Sequence, residues 1–246
     1  MNRLSFLMMP LVLMAVAPDG DAAAFEHDVL PTAGGDLKIT FIGHASLMFE
    51  FGGKVIYNDP VGQYGDFSGL PKADVILAAH EHGDHFDLET IRKISKNGTK
   101  VVMTPLCEAK LSGGVVLKNG ESTTVEGIRI EAVPAYNLVH MRSPGAPYHP
   151  KDVGNGYVLT FGDKRVYVAG DTENIPEMKV LLGRIDVAFM PMNLPYTMTP
   201  EMVADAARMV KPKILYPYHT TDTDTSKLQP LLQDEKGIEV RIRRMP

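Results

Sequence analysis

From Asp36 onward the apolar positions fall in short runs rich in branched and aromatic residues, separated by turn residues, the pattern of a strand-rich chain. Leu37–Phe41, Ser46–Phe51 and Val55–Tyr57, with Gly52-Gly53 between the last two, predict a hairpin-rich opening. A second series follows at Val75–Ala79, Val101–Thr104, Val115–Leu117, Ile128–Val133, Tyr157–Phe161, Val166–Ala169, Val187–Met190 and Ile214–Tyr218, with a tight turn at Gly162-Asp163. Helical signals are fewer. Asp87 can cap a segment through Ile94, and Pro176 opens one that closes at Gly183. The clearest begins at Thr199-Pro200, where Met202, Val203, Ala206, Met209 and Val210 make one apolar face until Pro212 forbids continuation. Strands mixed with helices, and no Pro- or Ser-rich linker, predict one α/β domain of sheets covered by helices.

The first residues follow a different pattern. Arg3 precedes an apolar stretch from Phe6 to Ala17, and Ala22-Ala23-Ala24 supplies an A-x-A site. We read residues 1–24 as a secretory signal cleaved near Ala24, which would leave a mature domain of residues 25–246, secreted or periplasmic. Left uncleaved, the same segment would be an N-terminal anchor. No later run approaches the roughly 20 apolar residues of a membrane span, so none is expected in the mature chain. No cysteine stands near the cleavage site to carry a lipid.

Charge and cysteine content narrow the function. A net charge of -5 without a basic block argues against nucleic acid as a partner. Cys107 is the only cysteine, so no intrachain disulfide forms, and with no base beside it in the sequence it is expected to be structural. Oligomeric state leaves no trace in the sequence.

Directly after the apolar run Ala73–Ala79 comes His80-Glu81-His82-Gly83-Asp84-His85, which holds three of the chain's eight histidines. Imidazole nitrogens and carboxylate oxygens are the ordinary ligands of zinc and similar cations. Alternation along an extended or looping segment can send the two sets of side chains to opposite sides, so one stretch can serve two adjacent ions. Gly83 lets the backbone bend where ligands crowd. Other strand ends carry polar side chains as well: Asn58-Asp59 after Val55–Tyr57, Tyr136-Asn137 after Ile128–Val133, Asp171 after Val166–Ala169, and His219 after Ile214–Tyr218. Sites commonly form outside the carboxyl ends of strands, so these turns are expected to converge on one cleft.

His80-Glu81-His82-Gly83-Asp84-His85, Gly170-Asp171-Thr172 and His219 together resemble the metallo-β-lactamase superfamily. Gly43-His44-Ala45-Ser46, Asn58-Asp59-Pro60 and Gly154-Asn155-Gly156-Tyr157 resemble its branch of ascorbate-6-phosphate lactonase-like and phospholipase D-like hydrolases. The resemblance spans roughly residues 36 to 243 and implies a single-domain, four-layer αββα sandwich with a dinuclear metal site at its edge. By position it implies His80 and His82 at a first metal site, Asp84, His85 and His219 at a second, and Asp171 as the bridging carboxylate. His44 lies at a position near the site in that branch, as a ligand or substrate contact or as a structural histidine. One expected ligand is missing, because the turn that should carry a third first-site histidine reads Ala135-Tyr136-Asn137. Asn137 can ligate directly or through water, His140 or His149 can reach in instead, or the ligand is lost.

The implied chemistry is hydrolysis of an ester, lactone or phosphodiester by a metal-bound hydroxide, on a small-molecule or lipid-like substrate. Asp84 would orient the nucleophile, and Asn193 and Tyr196 are candidate substrate contacts in the segment before the Thr199 helix. Zinc is the expected ion, one or two per chain, with manganese or iron(II) the alternatives. Ser46 lacks a Gly-x-Ser-x-Gly elbow, so a serine hydrolase is disfavoured. A non-catalytic relative with an impaired first site is the competing reading. A redox di-iron protein is disfavoured, because a carboxylate at the position of His82 and a separate flavin domain are both lacking.

Overall fold

The computed structural model describes residues 25–245, so the predicted signal at 1–24 lies outside the described residues. Strands β1 (His27–Thr32), β2 (Gly35–Gly43), β3 (Ser46–Phe51) and β4 (Lys54–Asn58) pair antiparallel in sequence order. Gly52 and Gly53 turn β3 into β4 with φ of 56° and 76°, the positive values that such a two-residue turn requires. β5 (Ala73–Ala78), β6 (Ser95–Met103) and β7 (Val115–Val116) then add in parallel and complete a seven-stranded sheet. The crossovers that parallel pairing demands carry α1 (Leu88–Ile94) and α2 (Pro105–Glu108).

The second half repeats this plan without a visible sequence repeat. β8 (Ser122–Val125) and β9 (Ile128–Ala135) lead into a small hairpin, β10 (Met141–Ser143) with β11 (Ala146–Pro147). β12 (Gly154–Phe161) returns antiparallel to β9, and β13 (Lys164–Val168) pairs antiparallel with β12. β14 (Val187–Pro191), β15 (Ile214–Tyr218) and β16 (Glu239–Val240) follow in parallel, giving a second sheet in the order β16-β15-β14-β13-β12-β9-β8. α3 (Pro200–Val210) starts where the sequence predicts: Thr199 Oγ1 accepts from Met202 N, and Lys211 ends the helix in a left-handed conformation before Pro212. A short α4 (Leu228–Leu231) crosses to β16.

Period-two alternation explains why the strands read as continuous apolar runs. In β5, Val75 and Leu77 point into the core between the sheets, while Ile76 and Ala78 point outward beneath α1, against Ile91 and Ile94. In the second sheet, Val187 and Phe189 of β14 face inward, and Ala188 and Met190 face outward beneath Val203, Ala207 and Val210 of α3. Both faces of each sheet are therefore covered, and the layers are helix, sheet, sheet, helix, as expected.

Three departures have physical causes. Pro176–Leu181 is a 3₁₀ helix, because its N-cap, Ile175, has no side-chain acceptor to hold the first turn. β6 begins six residues before the predicted Val101, at the polar stretch Ser95–Lys100, which joins through backbone pairing to β5. β1, β8 and β16 are short or mostly exposed edge strands with few apolar positions. Cys107 is buried beside α1, and burial pushes its thiol up to about 11, which suits an unreactive packing residue.

Candidate metal centre

Five strands that end at this edge of the sandwich deliver a polar residue to one place. His44 follows β2, Asp59 follows β4, His80 comes two residues after β5, Asp171 three after β13, and His219 follows β15. His44, Asp59 and His219 have φ of 52°, 43° and 49°. These left-handed conformations turn the chain sharply at the strand end; local strain of this kind is typical of functional sites.

The donors form two groups that meet at Asp171. In the first, His80, His82 and His149 each place a ring nitrogen within 4.8 Å of the others, and His80 Nε2 lies 3.0 Å from His82 Nδ1. In the second, ring nitrogens of His44, His85 and His219 and a carboxylate oxygen of Asp84 are as close, with His85 Nε2 3.2 Å from His219 Nε2. Asp171 turns Oδ2 toward His149 Nε2 at 3.2 Å and Oδ1 toward His85 and His219 at 3.3 and 3.5 Å. Ligands about 2.0–2.1 Å from one tetrahedral ion stand roughly 3.3 Å apart, so these spacings suit a shared cation at each group.

Electrostatics divide the site: burial opposes charge on His85, but Asp171 and Asp59 push its imidazole well above the ordinary value, so it holds a proton that a cation would displace, while the other groups below are set for ligation. Burial opposes charge on Asp171, but the facing His219 and His85 and the contact with His149 hold its carboxyl well below the usual range. Asp84 is likewise held low against burial, by hydrogen bonds from His219 and His44. Burial and the neighbouring His85 push His80 down, and burial with His149 lowers His82, so both imidazoles are neutral. Ionised carboxylates and neutral imidazoles are the protonation states that metal ligation needs. Asp171 Oδ1 is buried, and among the described residues no hydrogen bond satisfies it. A buried anionic oxygen without a partner is costly, and a cation relieves it. The residues present therefore fit a metal pair.

His149 stands with His80 and His82, where the third histidine was expected. The Asn137 side chain is turned to other partners: its Oδ1 accepts from the His149 backbone N–H and faces ring Nδ1, both at 2.8 Å, which leaves Nε2 free to point at Asp171. Its Nδ2 donates to Glu173 Oε1 and to the Tyr196 carbonyl. His140 does not reach in either. Its ring Nδ1 lies 2.7 Å from Glu173 Oε1. Glu173 collects the amides of Leu138, Val139 and His140, each at 2.7 Å, and these bonds with that from Asn137 outweigh burial and hold its carboxyl below the usual range.

Asp59 plays the matching part in the second group. Fully buried, it accepts from His85 Nδ1 at 2.9 Å and from Ala79 N at 2.8 Å, which directs His85 Nε2 toward the donors. His44 lies 3.4 Å from Asp84 Oδ2 and is packed between the rings of Tyr64 and His219. The groups open into a cleft of about 940 Å³, which Asn193 and Tyr196 line as expected, together with Tyr64, Arg142 and Tyr148. Sequence reading missed Glu173, Tyr64, Arg142 and Tyr148; of these only Glu173, two residues past Asp171, had a neighbouring motif to flag it.

An αββα sandwich with paired histidine and aspartate donors at its strand ends defines a metal-dependent hydrolase of the metallo-β-lactamase superfamily, to which this chain belongs: the beta-lactamase superfamily domain matches residues 38–219. Its relatives include the UPF0173 metal-dependent hydrolase of Thermococcus kodakarensis, 33% identical over 202 residues, or 74% of this chain and 84% of the relative. A solved structure from Parabacteroides distasonis, provisionally described as a metal-dependent hydrolase, is 50% identical and superposes with a TM-score of 0.85 over 90% of this chain and all of its own. A metallo hydrolase from Ignicoccus hospitalis is 25% identical, with a TM-score of 0.71 over 85% of this chain and 95% of its own.

Proposed function

We propose that the chain is a dinuclear hydrolase of an ester, lactone or phosphodiester, with His80, His82 and His149 holding a first ion, Asp84, His85 and His219 a second, and Asp171 bridging them. The observation that carries this reading is the division of Asp171, one oxygen toward each donor group. Zinc suits the mainly imidazole first set best, with manganese or iron(II) the alternatives. Bound there, the ions would supply an activated water and a Lewis acid toward the substrate oxygen.

The chain's own residues do the rest. Asp84 belongs to the second group yet keeps 40% of its side chain exposed, so it can orient the attacking water and take its proton. Water adds to the acyl carbon or phosphorus, the bond to the leaving oxygen breaks, and that oxygen takes up the proton. His44 steadies Asp84 and offers a ring nitrogen to the substrate, while Asn193 and Tyr196 line the cleft beside it. The competing reading of an impaired, non-catalytic relative rested on Asn137 and loses its support once His149 stands in the first group. Among the described residues no helix is long and apolar enough to cross a membrane, and the pattern of residues 3–24 supports an exported enzyme.

The test is metal content and turnover together. Wild type is expected to hold about two ions and to cleave members of a panel of esters, lactones and phosphodiesters, and Asp171→Ala to lose metal and activity together. Metal-loaded wild type that turns over nothing on the panel would count against the catalytic reading.

A further inference from the structure

We propose that the substrate carries an oxyanion, a carboxylate or phosphate, beside its scissile bond, and that Arg142 binds it; this rests on the hydrolase reading above. Arg142 is the one lysine or arginine among the described residues that line the cleft, alongside Asp84, His149 and Asp171. Five other arginines are engaged, Arg129 and Arg165 with Glu131, Arg208 with Glu235, and Arg241 and Arg243 with Asp28, whereas Arg92, Arg184 and Arg244 do not line the cleft. No carboxylate among the described residues stands within ion-pair distance of Arg142. Its guanidinium instead lies over the Tyr148 ring, 5.8 Å from the centroid. That contact leaves the N–H fork free for a planar oxyanion, which arginine holds through two parallel hydrogen bonds.

The perch of Arg142 is tied to the donor residues. Arg142 sits in the β10–β11 hairpin, whose stem is closed by Asn137 N donating to the His149 carbonyl at 2.9 Å and by His149 N donating to Asn137 Oδ1. Tyr148 is the residue before His149, and its ring meets that of Tyr196 edge-on at 5.0 Å. The Tyr196 carbonyl accepts from Asn137 Nδ2 at 2.9 Å. Arg142, Tyr148 and Tyr196 are therefore positioned by the same asparagine that orients His149. Tyr64, Tyr148, Tyr196 and Leu194 add apolar surface to the cleft, so the substrate class is an anionic ester or phosphodiester with an apolar or aromatic body.

The experiment compares mono-4-nitrophenyl glutarate, which carries a carboxylate, with neutral 4-nitrophenyl butyrate on the zinc-loaded full chain. Wild type is expected to favour the glutarate ester in kcat/KM, and Arg142→Gln to lower that preference roughly tenfold to hundredfold, the range for one hydrogen-bonded charge. The same preference in both proteins would overturn the proposal. Calorimetry with glutarate and with propyl phosphate separates the two kinds of oxyanion and needs no turnover. Binding of either that weakens at least about tenfold in Arg142→Gln supports the assignment. Equal binding, or none to wild type, overturns it, even if hydrolysis of neutral esters upholds the reading of the metal centre. If neither ester is cleaved, the hydrolase reading fails for carboxylic esters, and the calorimetry alone decides the role of Arg142.

Discussion

The Asn137 side-chain oxygen stands 2.8 Å from both the backbone nitrogen and the ring Nδ1 of His149. The ring therefore keeps its proton on Nδ1 and turns Nε2 toward the first donor group, so an amide that is itself a poor ligand orients the imidazole.

Asn137→Ala should weaken zinc binding at the first group by roughly 10- to 100-fold, the usual effect of removing an orienting partner. His140→Ala should leave it within a few-fold, because that ring faces Glu173. Chelator competition on each variant measures the difference, and equal effects would mean that His140 ligates after all.

Asp59→Ala should act on the other group. It removes the acceptor that points His85, and a loss confined to one of two ions is expected, again roughly 10- to 100-fold in affinity. Elemental analysis after dialysis against graded chelator reads the two ions separately.

Stripping the metal should destabilise the fold. Each ion held at about a thousandfold over its Kd contributes about 4 kcal/mol. At roughly 2–4 °C per kcal/mol for a domain of this size, chelation should lower Tm by about 10 °C or more. Calorimetric scans with and without chelator test this, and an unchanged Tm would argue against tight sites.

The pH dependence of stability should be visible at Asp28. Burial opposes its charge, but hydrogen bonds from Tyr216 and Arg243 prevail and hold its carboxyl below 3.8. Arg243 Nη2 lies 2.8 and 2.9 Å from its two oxygens, tying β1 to the C-terminal segment. A lowered folded value means that the stabilisation is complete above the unfolded value near 3.8 and is lost as pH falls through the folded one. Asp28→Asn should therefore cost about 2 kcal/mol at pH 7. The gap between variant and wild type should close in denaturant titrations below pH 3.8.

Phe189 anchors the core between the sheets, stacked on Tyr216 at 5.0 Å and edge-on to Phe49 at 6.2 Å. Phe189→Ala should cost about 3–5 kcal/mol in denaturant unfolding, with the metal content of the folded fraction unchanged.

The layers were legible because their causes are local. The continuous apolar run Val75–Ala78 marks a strand buried on both faces, and Thr199-Pro200 with Pro212 marks both ends of α3, since caps and side-chain pattern act within a few residues. His80, His82, Asp84 and His85 could be read for the same reason, as four donors packed into one loop. Weakly apolar edges such as β1 and β8 could not, because backbone pairing rather than side-chain pattern holds them in the sheet.

What the sequence by itself determined is the sandwich and most of the donors, each residue a few positions past a strand. Only the tertiary structure brings His149, and not His140, beside His80 and His82, turns the two oxygens of Asp171 toward the two groups, and sets Asp59 against His85. Those choices rest on contacts across 12, 22, 26 and 86 residues of chain, from Asn137 to His149, from His149 to Asp171, from Asp59 to His85 and from His85 to Asp171. Contacts of that span depend on how the strand ends converge, and no local spacing of residues encodes it.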